Sequence, residues 1–78
     1  MSLKKEKKYR RKQWRREFGL YLASERLAHH MTVQEFSAWS GLSGICVERM
    51  EVGKADIWLH TLQLMADLYQ KKLVIRFE

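Results

Sequence analysis

The residues best able to do chemistry stand together near one end of the chain. Residues 4–16 hold nine Lys or Arg against one acid, Glu6, a net charge of +8. Residues 17–78 hold six cations against eight acids, so the whole excess of a +6 chain lies in this run. Cations at such density attract polyanions: DNA, RNA or an anionic membrane face. Tyr9 and Trp14 interleave with them, and an aromatic ring stacks on an unpaired base. A solvated tail that only aids solubility is the competing reading; eight net charges in so short a run favour the polyanion.

Other chemistry lacks its arrangement. His29, His30, His60 and Cys46 have no metal-ligand spacing with one another. Glu48 and Glu51 lie one helical turn apart, but no nucleophile motif or phosphate loop accompanies them. One cysteine excludes an intramolecular disulfide framework and a multi-cysteine zinc site. The expectation is therefore a non-enzyme with no metal and no cofactor. At 78 residues and 46% hydrophobic, the chain has room for one small domain. Domains of this size are marginal alone and often helped by dimerisation. No apolar run approaches the ~20 residues that cross a bilayer, and no signal peptide is visible. The expected location is cytoplasmic, at the nucleoid.

Positioning the cations requires a body, and the body reads as helical. Phe18, Leu22, Arg26 and His29 recur at three or four residues, which predicts a first helix over about residues 15–30. The basic run before it holds no Pro or Gly and is able to extend that helix. Thr32-Val33-Gln34-Glu35 is a capping box, opening a second helix that ends at Gly41. Phe36 and Ser37 are its inward positions. Ser43 caps a third helix, over residues 44–52, with Val47 and Met50 inward and Gly53 as its stop. Leu59, Leu62, Met65, Ala66 and Tyr69 form the stripe of a fourth helix, over about residues 58–70. Trp39 and Trp58 either close the core or, exposed, mark a protein contact. Cys46 reads as an ordinary small residue of the third helix.

The period then changes to two. Leu73, Ile75 and Phe77 share one face of residues 71–78, which predicts a strand. A lone strand leaves unpaired amides, and pairing with the same strand of a second copy satisfies them. Leu73, Val74, Ile75, Arg76 and Phe77 are the expected dimer interface, with Lys71 and Lys72 blunting its edge.

The ordered set of residues resembles the lambda-repressor-like helix-turn-helix family, of the Cro/repressor or XRE type. The stretch that carries the resemblance runs through residues 32–43, then Val47, Met50, Glu51, Gly53 and Lys54, with the fourth-helix stripe behind it. It covers roughly residues 18–69. The terminal strand resembles members in which that strand builds a dimer sheet, as in antitoxin-type repressors. The resemblance implies an all-α fold: a four- to five-helix domain with a C-terminal β-strand pairing across a dimer. It divides the chain into a basic arm (1–14), a helix-turn-helix domain (15–70) and a dimerisation strand (71–78). It also implies a third helix docked in the DNA major groove, with the second lying across the backbone. Arg26 and Glu51 fall where the family pairs an Arg with a Glu. Removing one partner of such a pair costs ~3–5 kcal/mol in stability, measurable by chemical denaturation.

There are departures. The family's phosphate-binding Gln position holds Val33, with Gln34 next to it. The first reading positions are Gly44 and Ile45, which offer little hydrogen bonding, although Ile45 suits a thymine methyl. Arg49 is able to fork onto guanine O6 and N7, and Glu48 to accept from cytosine N4. Ser43, Lys54 and the amides of Gly44 and Ile45 suit phosphate. Lys7, Lys8, Arg10, Arg11, Lys12 and Arg15 supply the basic arm, with a steep salt dependence expected. The function this implies is a sequence-specific transcriptional regulator, a repressor, acting as a homodimer on double-stranded DNA. The alternative is a protein-interaction module, such as an antitoxin or adaptor with a toxin-like partner. Nonspecific RNA binding through the arm is a third reading.

Overall fold

The structure, a computed structural model, describes residues 3–78, with side chains from residue 10 onward. Among the described residues there are four helices and no strands: α1 (Leu3–Ala28), α2 (Val33–Ser40), α3 (Gly44–Glu51) and α4 (Leu59–Leu68). α1 packs on α3, α3 on α2, and α2 on α4. Leu22, Phe36, Val47, Met50 and Met65 form the buried centre, one or two from each helix. Partly buried Met31, Val33, Leu42, Cys46, Ile57 and Tyr69 close around it.

α1 begins about twelve residues earlier than its apolar stripe predicts, so the basic run is helical and continuous with the rest of a 26-residue helix. Lys, Arg, Gln and Glu are good helix formers, and no Pro or Gly interrupts before Gly19. The inward stripe of α1 is also shifted. Gly19 and Leu22 are buried while Phe18 is exposed. The cause is a close approach of backbones. A Cβ at Gly19 would lie 2.5 Å from the carbonyl oxygens of both Met50 and Glu51, so only glycine lets α1 rest on the end of α3.

Three helices end in one way. At each end a residue with positive φ donates to the carbonyl three residues back, and the next residue donates to the carbonyl five back, the Schellman arrangement. After α3 these residues are Gly53 and Lys54, with φ 79° at Gly53. After α1 they are His30 (φ 58°) and Met31, and after α4 Gln70 (φ 55°) and Lys71. The left-handed residue at two of the three ends is therefore not glycine. This is why α1 and α4 stop before the residues 30 and 70 that periodicity suggests.

α2 and α3 carry their expected caps. Thr32 Oγ1 accepts from the Glu35 amide, and the Glu35 carboxylate accepts from the Thr32 amide, each at 3.1 Å. Gly41 ends α2 at φ 80°. Trp58 caps α4 without a side-chain hydrogen bond. Leu59, expected inward, is 62% exposed because it sits in the first turn of α4, beyond the edge of the core; Thr61 is buried instead. Residues 71–78 follow as non-helical chain with no ladder within the molecule.

Gly19→Ala is expected to destabilise the fold by about 1–3 kcal/mol, because its methyl meets backbone that cannot swing away. Urea denaturation followed by circular dichroism measures this.

Candidate nucleic-acid interface

α3 is eight residues long, and its sequence sorts its two faces. Val47 and Met50 are buried against Phe36 and Leu22, and Cys46 is half-covered. Ile45, Glu48 and Arg49 point outward; Ile45 is 72% exposed. Gly44 begins the helix and is partly covered, with Val33 nearby. Ser43 Oγ accepts from the Cys46 amide at 3.1 Å, so its hydroxyl is engaged as the cap, while its hydrogen stays available to a phosphate oxygen. Arg49 Nη2 donates to the Lys54 carbonyl at 3.2 Å, which holds the guanidinium toward the C-terminal end of α3. Gln34 is exposed on α2, and Lys54 is exposed in the loop beyond α3.

The cations of α1 meet α3 at that same end. A Cβ at Gly53 would lie 2.9 Å from both the backbone nitrogen and Cα of Arg16, so the α3–α4 loop rests directly on α1. Arg16 thus brings an exposed cation beside the loop that carries Lys54. Only Gly53, one residue before Lys54, hints at this contact in the sequence. Arg10, Arg11 and Lys12 continue along α1 as exposed side chains. The side chains of Lys7 and Lys8 lie outside the described residues. Arg15 differs from its neighbours. Its Nε and Nη2 both donate to Asp56 Oδ1, and its side chain is only 28% exposed, so it anchors α1 to the loop before α4.

Behind this surface lies the tie that fixes α1 to α3. Arg26 Nε donates to Glu51 Oε2 at 2.8 Å and Nη2 donates to Oε1 at 3.0 Å. The two side chains are 11% and 12% exposed. Arg26 Nη1 also donates to the Met31 carbonyl at 2.7 Å. The bonded carboxylate holds the guanidinium pKa above its ordinary value. Tyr69 lies near this pair, stacked on His29 at 4.2 Å and against Trp39 at 5.3 Å. Burial, then the charge of Glu25, pushes its phenol up to about 12. Among the described residues its buried hydroxyl finds no hydrogen-bond partner. Lys71 Nζ donates to Glu25 Oε2 at 2.8 Å, which raises the lysine pKa and holds the start of the terminal segment against α1. Beyond it Leu73 is half-buried, whereas Val74, Ile75, Arg76 and Phe77 are exposed.

Among the described residues no three His, Cys, Asp or Glu side chains gather as for a metal ion. None of the described helices is long and apolar enough to cross a membrane.

A folded-state phenol pKa raised from 10 to about 12 means the folded state holds its proton more tightly than the unfolded state. Its contribution is present below pH 10 and lost as pH rises to about 12. Tyr69→Phe removes both this loss and a hydroxyl without a partner. The variant is expected to melt at or above the parent temperature at pH 7, and to show a smaller fall in Tm between pH 10 and 12. No protein family, curated protein or solved structure compared with this chain matches it.

Proposed function

We propose that the chain is a DNA-binding transcriptional regulator, a repressor of the lambda-repressor-like type. In this reading α3 enters the major groove and the basic half of α1 follows the phosphate backbone. The observation that carries it is the junction at Gly53, where α1 rests on the loop after α3. Through it the exposed outer face of α3 and a cationic helix belong to one rigid unit. A duplex touched by Arg49 and Glu48 then has phosphates within the field of Arg16, Lys54 and the cations beyond. Base readout rests on few side chains, because Gly44 has none and Ile45 offers only apolar contact. Much of the affinity comes from phosphate neutralisation and falls steeply with salt. Positive charges four residues apart in α1, such as Lys12 and Arg16, repel by roughly 0.2–0.5 kcal/mol per pair in water. Bound phosphates relieve that repulsion. Dimerisation through residues 71–78 supplies a second α3 and calls for a pseudo-palindromic operator.

A protein-interaction module is the second reading. It is favoured by the exposure of Ile45 at the tip of α3 and by the partly exposed Trp39 on α2. A co-purifying protein that covers α3 distinguishes it from the first.

Competition binding among defined duplexes tests the proposal. Arg49→Ala is expected to cost ~1–3 kcal/mol on the preferred duplex and little on others. Replacing Arg10, Arg11 and Lys12 by Gln is expected to weaken all duplexes alike and to flatten the salt slope by about three. Equal affinity for every sequence at every salt concentration overturns specific regulation.

A further inference from the structure

One large surface feature is not used by the DNA-binding reading. Trp14, Phe18 and Tyr21 stand at i, i+4 and i+7 on α1, all exposed, Trp14 by 65%. With Ile57 and Leu62 they line an open groove of about 510 Å³. A second hollow of about 400 Å³ shares Phe18, Tyr21 and Leu62 and continues to Leu73, Val74 and Ile75. The apolar floor is therefore continuous from Trp14 to the terminal segment. That segment lies along one end of the floor, yet Ile75 is largely exposed and Phe77 fully so. A fully exposed aromatic, two residues beyond the last segment residue that lines the apolar floor, and an open aromatic groove on the same chain are left unjoined within one copy.

We propose that the groove of Trp14, Phe18, Tyr21, Ile57 and Leu62 receives the C-terminal segment of a second copy, with Phe77 as its anchor. The proposal rests on the homodimer reading and adds where the partner's terminus goes. Three observations select a second copy as occupant. The groove is continuous with the segment already expected to pair across the two-fold axis, so one interface covers both. Charges at the rim are compatible: Arg15, which also lines the groove, is bonded to Asp56, so Glu17 is left to face a cation, and the segment carries Arg76 on one side of Phe77 and Glu78 on the other. Among the described residues the core is small, with five buried residues at its centre, which fits a fold completed by association. In a two-fold arrangement each copy gives one Phe77 and receives one, so the contact closes and does not propagate.

The test uses the full chain with Cys46→Ser to remove the native thiol. Trp14→Cys and Phe77→Cys are made in separate chains, and both sites are exposed, so folding is retained. Equal mixing under mild oxidation is expected to give a Trp14→Cys/Phe77→Cys heterodimer disulfide in preference to either homodimer. Phe77→Asp is expected to raise the dimer dissociation constant at least tenfold in sedimentation equilibrium, with an unchanged circular dichroism spectrum. A chain that stays dimeric, cross-links through Ile75→Cys and yet gives no mixed disulfide overturns the groove as seat and leaves strand pairing intact. A double variant that closes its disulfide within one chain assigns the groove to the chain's own terminus and overturns the proposal. A monomer at all concentrations overturns both the groove and the dimer reading.

Discussion

The pair between Arg26 and Glu51 is the constraint on which the arrangement of helices depends. It is bidentate and nearly buried, and the third donor of the guanidinium reaches the Met31 carbonyl. One side chain thereby joins α1, the last turn of α3 and the turn that leads into α2. Such a pair does not guarantee net stability, because desolvation offsets much of its attraction. Its larger effect is on geometry. A guanidinium left buried without its carboxylate is unfavourable, so the pair disfavours packings of α1 on α3 that separate the two side chains. Gly19, two turns before Arg26 on α1, completes the constraint by allowing the helix backbone to touch the carbonyls of Met50 and Glu51. The outer face of α3 is held at a fixed angle to α1 because of these two contacts.

Local signals were legible in the sequence, and contacts between distant residues were not. The boundaries of α2 and the caps at Thr32, Gly41 and Ser43 follow from a few neighbouring residues, each with its own hydrogen bond. The sorting of Val47 and Met50 from Ile45, Glu48 and Arg49 follows from period alone. His30 and Gln70 hide two helix ends, since neither is the glycine that usually marks a left-handed residue. Gly19 is invisible as a contact residue because its reason lies on another helix. Arg15 reads as one more cation of a basic run until Asp56, 41 residues away, is brought against it. The terminal segment shows its period-two pattern, yet a single chain holds nothing for it to pair with.

Charge and core occupy different parts of this molecule. Among the described residues the buried ones come from position 19 onward, while the positive excess ends at residue 16. The body carries a small net negative charge and loses little to self-repulsion. Among the described cations of this half of α1, Arg10, Arg11, Lys12 and Arg16 are exposed to water and take no part in the core. Arg15 is the exception, and it stands at the border between the two regions.

That border has a mechanical consequence. Among the described side chains, the Arg15–Asp56 pair is the bond between α1 and the body nearest the helix N-terminus. Twelve residues of continuous helix precede it, from Leu3 onward, a rod of about 18 Å at 1.5 Å per residue. A tilt of about 10° at this fulcrum sweeps the tip through about 3 Å. A reorientation of the loop that holds Asp56, passed to α1 through Arg15, would therefore be magnified at the far end of the helix.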